Sequence, residues 1–475
     1  MIGWVSAAGA AIRVKTNTTV RRAGRIRLLT AVILALGAGL AVALIAYQVL
    51  RRVTPTSNAA AAPIDLTKVA LTVVAGVGGV VALVIAYRRQ RDLEQSRFVE
   101  RFGAAAAQLG DTDVAVRIAG AYAMAGVADE SDGLRRQQCI DVLCGYLRLP
   151  YSPSLGGNHQ TKEIRTYPSG APSAPGHEQH FEYRQNDREV RDTIVRVIAD
   201  RLKPGSEYSW STSDFDFRTA HLEDVDFNSA VFAGLARFDR VTFRRDAWFD
   251  NAHFGSNVWF REATFVGDAG FRQVLFTGDA RFDRTSFRRN AGFRQAVFTS
   301  DARFDKTTFR GDAWFDNVTF TGNAGFREAK FRSKAIFHRV AFDDTSFSRA
   351  TFRGEALFSG TTFGGDVGFG KATFAGPVRL DEATFHGGAW FGEATFRGDA
   401  RFEKVTFVGE VGFRAVTFAG PARFTSADFG SARVSFIAPR QWGPPAPEFD
   451  WCHDSVERPA NIEPQEWPPA LSPSQ

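Results

Sequence analysis

Beyond about residue 215 a large apolar residue returns every five or six positions, and this cadence constrains the fold more than any other feature of the chain. The series starts at Phe217, Leu222, Phe227 and Phe232 and runs on to Phe429 and Val434. Five- and six-residue steps alternate from Phe238 to Phe342, and Leu380 is the one later non-Phe before Val434. Two positions before nearly every repeat Phe stands Ala, Val or Thr, as at Ala247, Ala252, Val258 and Ala263. The six-residue steps carry Gly-Asp or Gly-Asn, as at Gly278-Asp279 and Gly322-Asn323. A helix repeats every 3.6 residues and a strand every two, so neither explains the pattern. A short bridge plus a turn does, with one large and one small side chain inward. Four such units close a square coil, and the Gly, Asp and Asn are expected at corners needing positive φ or an Asx turn. Every fourth position from Phe217 gives Phe238, Phe260, Phe282 and so on to Val434, about ten turns. With neighbouring strands about 4.8 Å apart the rod is roughly 48 Å long. Its interior is filled by Phe, which leaves no room for a ligand. Two successive five-residue steps between Phe342 and Phe352 predict a local bend or a change of surface there.

The Ala-x-Phe-x-x units resemble the pentapeptide-repeat family, in a Phe-centred variant with alternating five- and six-residue steps. The resemblance implies an all-β right-handed quadrilateral β-helix, a solenoid with the central Phe and the preceding small residue pointing inward. Together with two apolar spans and a helical collar around Asp113 to Arg117 and Cys139 to Cys144, the repeats resemble a bacterial membrane-anchored subgroup.

Leu28 to Leu50 and Val69 to Tyr87 are uncharged runs near the roughly 20 residues that a helix needs to cross a bilayer. Arg13 to Arg27 supply cations before the first and Arg88 to Arg101 after the second, while Arg51, Arg52 and Lys68 lie between them. That asymmetry places both termini in the cytoplasm, with the chain crossing a bacterial plasma membrane twice. The resulting plan is a basic tail (1–27), a transmembrane helix (28–50), an external loop (51–68), a second transmembrane helix (69–87), a helical juxtamembrane region (88–149) and a linker (150–185). A helix (186–205) then leads into the β-helix (206–436), followed by a Pro-rich C-terminal tail (437–475).

Composition narrows the function classes. All but three of the 44 Phe lie beyond position 200, consistent with one specialised core. Only nine of the 58 basic residues are Lys, a bias read as genomic, of a GC-rich bacterial kind. The three Cys show no metal-ligand or disulfide spacing and are read as reduced and buried. No phosphate loop, Ser–His–Asp set or HExxH helix is present, and the acids fall into columns beside Arg, as cross-rung ion pairs would. No enzyme, cofactor or metal is therefore expected. Some pentapeptide-repeat proteins imitate DNA and act on a topoisomerase, the alternative reading here. From 206 to 436, however, 30 basic residues face 29 acidic ones, and imitation of a polyanion needs an acidic excess. Direct nucleic-acid binding is not expected either.

The favoured reading is a non-catalytic membrane-tethered scaffold whose cytoplasmic rod binds a protein partner, with a second copy of the chain as a further candidate. Trp248, Trp314, Ile336 and Leu357 stand just before core Phe on one expected wall, and Arg379, Arg401 and Arg423 continue the column. Aromatic residues and Arg are enriched at interface hot spots, which makes this column the candidate partner-binding surface. Covering of neighbouring rungs, or docking of the tail from Ile437 onward, is the competing explanation for its apolar members.

Overall fold

The computed structural model describes residues 62–153, 155, 160–167, 177–452 and 456–472, with isolated positions between 37 and 52. The chain divides into two compact units, residues 1–100 and 101–475. Helix α1 spans Ala62–Leu109. It is followed by α2 (Val114–Asp129) and α3 (Gly133–Leu147), a hairpin of β1 (Lys162–Tyr167) with β2 (His177–Glu182), and α4 (Asp187–Leu202). Two-residue strands then build a right-handed β-solenoid of about ten turns, stacked into four parallel sheets. We number these walls in chain order, the first beginning at Phe215–Asp216, the second at His221–Leu222, the third at Val225–Asp226 and the fourth at Val231–Phe232.

Each coil closes because its Phe have nowhere drier to go. Phe304 is fully buried; its ring lies parallel to Phe282 and Phe326 at 4.8 and 4.9 Å and edge-on to Phe293 and Phe315. Parallel stacking within a wall and T-shaped contact across it are both favoured ring geometries. The small column beside the rings is Ala280, Ala302 and Ala324, whose size lets successive coils approach to strand spacing. Thr285 and Thr307 occupy the same kind of position, and each buried hydroxyl donates to a main-chain carbonyl, of Phe260 and Phe282.

The corners differ from expectation. Gly267, Gly278, Gly311 and Gly322 do not take positive φ; a Cβ there would come within 2.4–2.6 Å of main-chain atoms of the coil below. They are glycines because two backbones touch. At the same corner position, with or without a glycine before it, an Asp or Asn side chain holds the next coil instead. Asp246 accepts from the Asp268 N–H, Asp268 from Asn290, and Asn290 from Asp312. Positive φ falls at the other two corners, two residues after the Phe, on Asn251, Glu262, Gln273 and Lys306 among others. A main-chain ladder compensates that strain, as in Asn251 N–H to Arg272 O at 2.8 Å.

The short turn after Phe342 removes one residue from a corner and leaves the columns in register, with Ala324 opposite Thr345 and Phe320 still parallel to Phe342 at 5.0 Å. At the far end Phe436, not Val434, lies over Phe413, and Val434 joins the small column opposite Val411.

Both ends of the coil are covered. At the start, Arg136 and Gln137 of α3 donate to the Ser209 and Asp214 carbonyls, and Arg148 pairs with Asp216 at 2.8 Å. Arg117 of α2, with no exposed surface, bonds Asp187 at 2.9 Å and the Gln185 carbonyl, tying α2 to α4. At the other end the Pro-rich segment is part of the fold, not a tail. Gln441–Trp442 and Ile462–Glu463 extend two walls, and Phe449, Trp451 and Trp467 pack over the last rings. The segment expected as a linker holds the β1–β2 hairpin, whose strands are almost wholly exposed and so lack the apolar alternation that marks a strand in sequence.

The membrane reading is corrected. Among the described residues no helix is long and apolar enough to cross a membrane. The span expected at 28–50 lies largely outside those residues. The one expected at 69–87 is part of the 48-residue α1, which continues without a break through the charged turns of Arg88, Arg89, Asp92, Glu94, Arg97 and Glu100. The two-span placement in a plasma membrane falls with it. Cys139 and Cys144 are buried, which pushes their thiols up to about 11 and about 12, but Cys452 is exposed.

Candidate partner-binding walls

On the third wall the strands Val225–Asp226, Ala247–Trp248, Ala269–Gly270 and their successors pair in parallel, one coil above the next. The outward residue of each strand therefore stacks on that of its neighbours. Trp248, Gly270, Gly292, Trp314, Ile336, Leu357, Arg379, Arg401 and Arg423 form one column, so all seven candidate residues share a single line. Trp248 is 38% exposed, and Trp314, Ile336 and Leu357 are half-buried.

The two glycines shape the upper half of the column. A Cβ at Gly270 would meet the Trp248 ring at 2.5 Å, and one at Gly292 would lie 3.7 Å from the Trp314 ring. Each indole thus lies over the rung beside it. The Arg294 guanidinium stands 4.8 Å from the Trp314 ring centroid and bonds Asp316 at 3.1 Å, fixing the indole's outer edge. Covering of rungs and presentation of a flat aromatic tile are here the same arrangement.

The lower half behaves differently. Arg379 pairs with Glu355 at 3.3 Å, Arg401 with Asp399 at 2.8 Å, and Arg423 with Asp399 at 3.1 Å and Glu448 at 3.6 Å. These cations are already answered by acids of the adjoining corner. Their hydrogen bond and charge from Asp399 hold the Arg401 guanidinium above its usual value. The three arginines continue the column without offering it free charge.

A first-wall groove of about 710 Å³ opens where the position after the core Phe is small, at Ser348, Gly370 and Gly392. Arg327 and Arg414 close its ends, and Glu393 crosses it to Lys371 at 3.4 Å and Arg440 at 2.6 Å.

The sequence reading missed the second wall. Its outward column is Thr242, Thr264, Ser286, Thr308, Lys330 and further Thr, and the position after the Phe is Arg at Arg244, Arg288, Arg310, Arg332, Arg353 and Arg397, interrupted by Val266, Ala375 and Ala419. All six arginines are exposed. The signal was present as Arg after the second-wall Phe on four successive coils, Arg288 to Arg353, but Phe-Arg pairs on other walls, such as Phe260-Arg261 and Phe271-Arg272, obscure it.

Residues 214–417 match, in the overlapping stretches 214–264, 227–275, 238–286, 282–330, 326–373 and 369–417, the family model described as pentapeptide repeats (9 copies). No curated protein and no solved structure matches the chain.

Proposed function

We propose that this run of pentapeptide repeats, in a Phe-centred form, is a non-catalytic scaffold whose third wall binds a protein partner through Trp248, Trp314, Ile336 and Leu357. The observation that carries the reading is that these four lie in one in-register outward column of the third wall. Their backbone is fixed from below and above by strand pairing, so little ordering entropy remains to be lost on binding. Large aromatic surface held in this way is the composition of interface hot spots. The paired Arg379, Arg401 and Arg423 act as a polar rim. A DNA-imitating role has less support, since the repeat region carries no acidic excess.

A photoreactive side chain placed at Ile336 in cells should give one discrete protein adduct. Adding Trp314→Ala should abolish the adduct while the thermal melt stays unchanged. The same adduct pattern from Val297 on the fourth wall would remove the third wall from consideration.

A further inference from the structure

A near-neutral total conceals how charge is distributed around the coil. On the second wall no outward residue from Thr242 to Thr417 is acidic, and none of the positions after the core Phe from Arg244 to Ala419 is acidic either. Among the described residues none of Arg244, Arg288, Arg310, Arg332, Arg353 and Arg397 has an acid at ion-pair distance, in contrast to Arg379, Arg401 and Arg423 around the corner. The acids of that shared corner are engaged elsewhere. Asp312 holds the Lys334 N–H and Ser333 hydroxyl, Glu355 takes Lys334 and Arg379, and Asp399 takes Arg401 and Arg423.

Arg288, Arg310, Arg332 and Arg353 sit on four successive coils whose rings are spaced 5.1, 4.9 and 4.8 Å. With Arg244 and Arg397 the row covers seven coil steps, about 34 Å at strand spacing. Lys330 and a line of Thr hydroxyls run beside it. At the row's first coil the excess is felt by His221, whose imidazole is lowered by burial and then by the Arg244 and Arg191 cations. Like charges at this interval repel one another, and only a ligand with repeated negative charge answers all of them together.

We propose that the second wall binds a linear phosphate chain, gripping its phosphates and reading no base. Guanidinium forks and hydroxyl donors both suit phosphate oxygens. No aromatic side chain points outward on this wall between Thr242 and Thr417, so the stacking platforms of base-recognising surfaces are missing. An acidic helix presents charge once per 5.4 Å turn and drifts out of step with the coils, whereas a flexible phosphate chain adjusts its pitch. Free polyphosphate and a nucleic-acid backbone share this chemistry. The inference is independent of the third-wall reading.

The test is titration of the full chain with fluorescent inorganic polyphosphate, a short single-stranded oligonucleotide and poly-glutamate across a series of salt concentrations. Phosphate-polymer binding should weaken linearly in log–log form as salt rises. The Arg310→Gln/Arg332→Gln variant should bind about tenfold more weakly, with a slope smaller by about 1.4 for the two lost contacts. Ala375→Arg, which fills a gap in the row, should bind more tightly, and Arg379→Gln/Arg401→Gln should bind as the parent does. Tight polyphosphate with weak oligonucleotide binding assigns the free polymer, and comparable binding of both assigns the shared backbone chemistry. No binding at low salt, unchanged affinity in the double variant with an unchanged melt, or preference for poly-glutamate overturns the proposal. The Ile336 adduct should persist in the Arg310/Arg332 variant, which separates the two walls.

Discussion

Phe304 and Arg303 are neighbours in sequence and opposites in consequence. The ring is enclosed by four others, whereas Arg303 reaches only a loose contact with Asp301 at 3.9 Å. Phe304→Ala should cost about 3–5 kcal/mol, because rings held from above and below cannot collapse into the void. Arg303→Ala should change stability by less than about 0.5 kcal/mol. Chemical denaturation of the two variants checks both, and equal costs would mean that the inward and outward positions are misassigned. Gly311→Ala tests the corner argument. Its Cβ would lie 2.5 Å from the Arg289 carbonyl carbon, so overpacking of about 1–3 kcal/mol is expected despite an ordinary φ. The Phe column could be read from sequence because inward positions repeat along one dimension. Why Gly311 is glycine could not, because the reason is a backbone 22 residues away.

Among the elements, α4 and the coil it covers form a charged junction. Arg188 of α4 lies 3.5 Å from Asp192, 3.4 Å from Glu223 and 3.2 Å from Asp224. Burial raises the Asp192 carboxyl to about 6; Arg188 opposes this, and Glu223 and Asp224 add to it. A carboxyl raised in the folded state holds more protons there than when unfolded between about pH 4 and 6. Stability from this group is therefore greatest below that window and falls as pH rises through it. Asp192→Asn should flatten the dependence between pH 4 and 6 and raise the melting temperature at pH 7 relative to the parent, with the difference vanishing at pH 4. A parent melting temperature that rises across that window, unaltered by the substitution, would contradict the assignment. The junction was invisible in sequence, since Glu223 lies 31 residues beyond Asp192 and on a different element. The third-wall column was legible by counting fours from Trp248. Its pairing was not, because the partner of Arg379 is Glu355, one coil and one corner away.

At the scale of the molecule, each coil touches only the next, so stability is a sum of neighbour terms and the ends decide solubility. Trp442, Phe449, Trp451 and Trp467 seal rings of the last coils that would otherwise face water. Removing residues 441–475 should leave the upper coils folded by circular dichroism and convert the chain to larger sedimenting species, since an uncovered end offers both rings and strand edges. A truncated chain sedimenting as the full chain does would show that the end is closed without this segment. Repeat number and wall register were thus available from the sequence, while the cap was not. It departs from the cadence, and its Pro and Gly mark only a Pro-rich tail with no signal for how it closes the coil.

The register that keeps Trp248 above Gly270 and Arg310 above Arg332 also constrains how such a gene can change its length. A copying slip that adds or drops one full coil of codons returns every later residue to the wall it left. A slip of a single repeat keeps Phe inward but moves every later residue to the next wall, and a residue lost at a corner, as after Phe342, leaves the columns aligned. The rod can therefore lengthen or shorten by heredity in whole steps while its painted faces stay aligned, and its reach is inherited as a number of coils, separately from what each face displays.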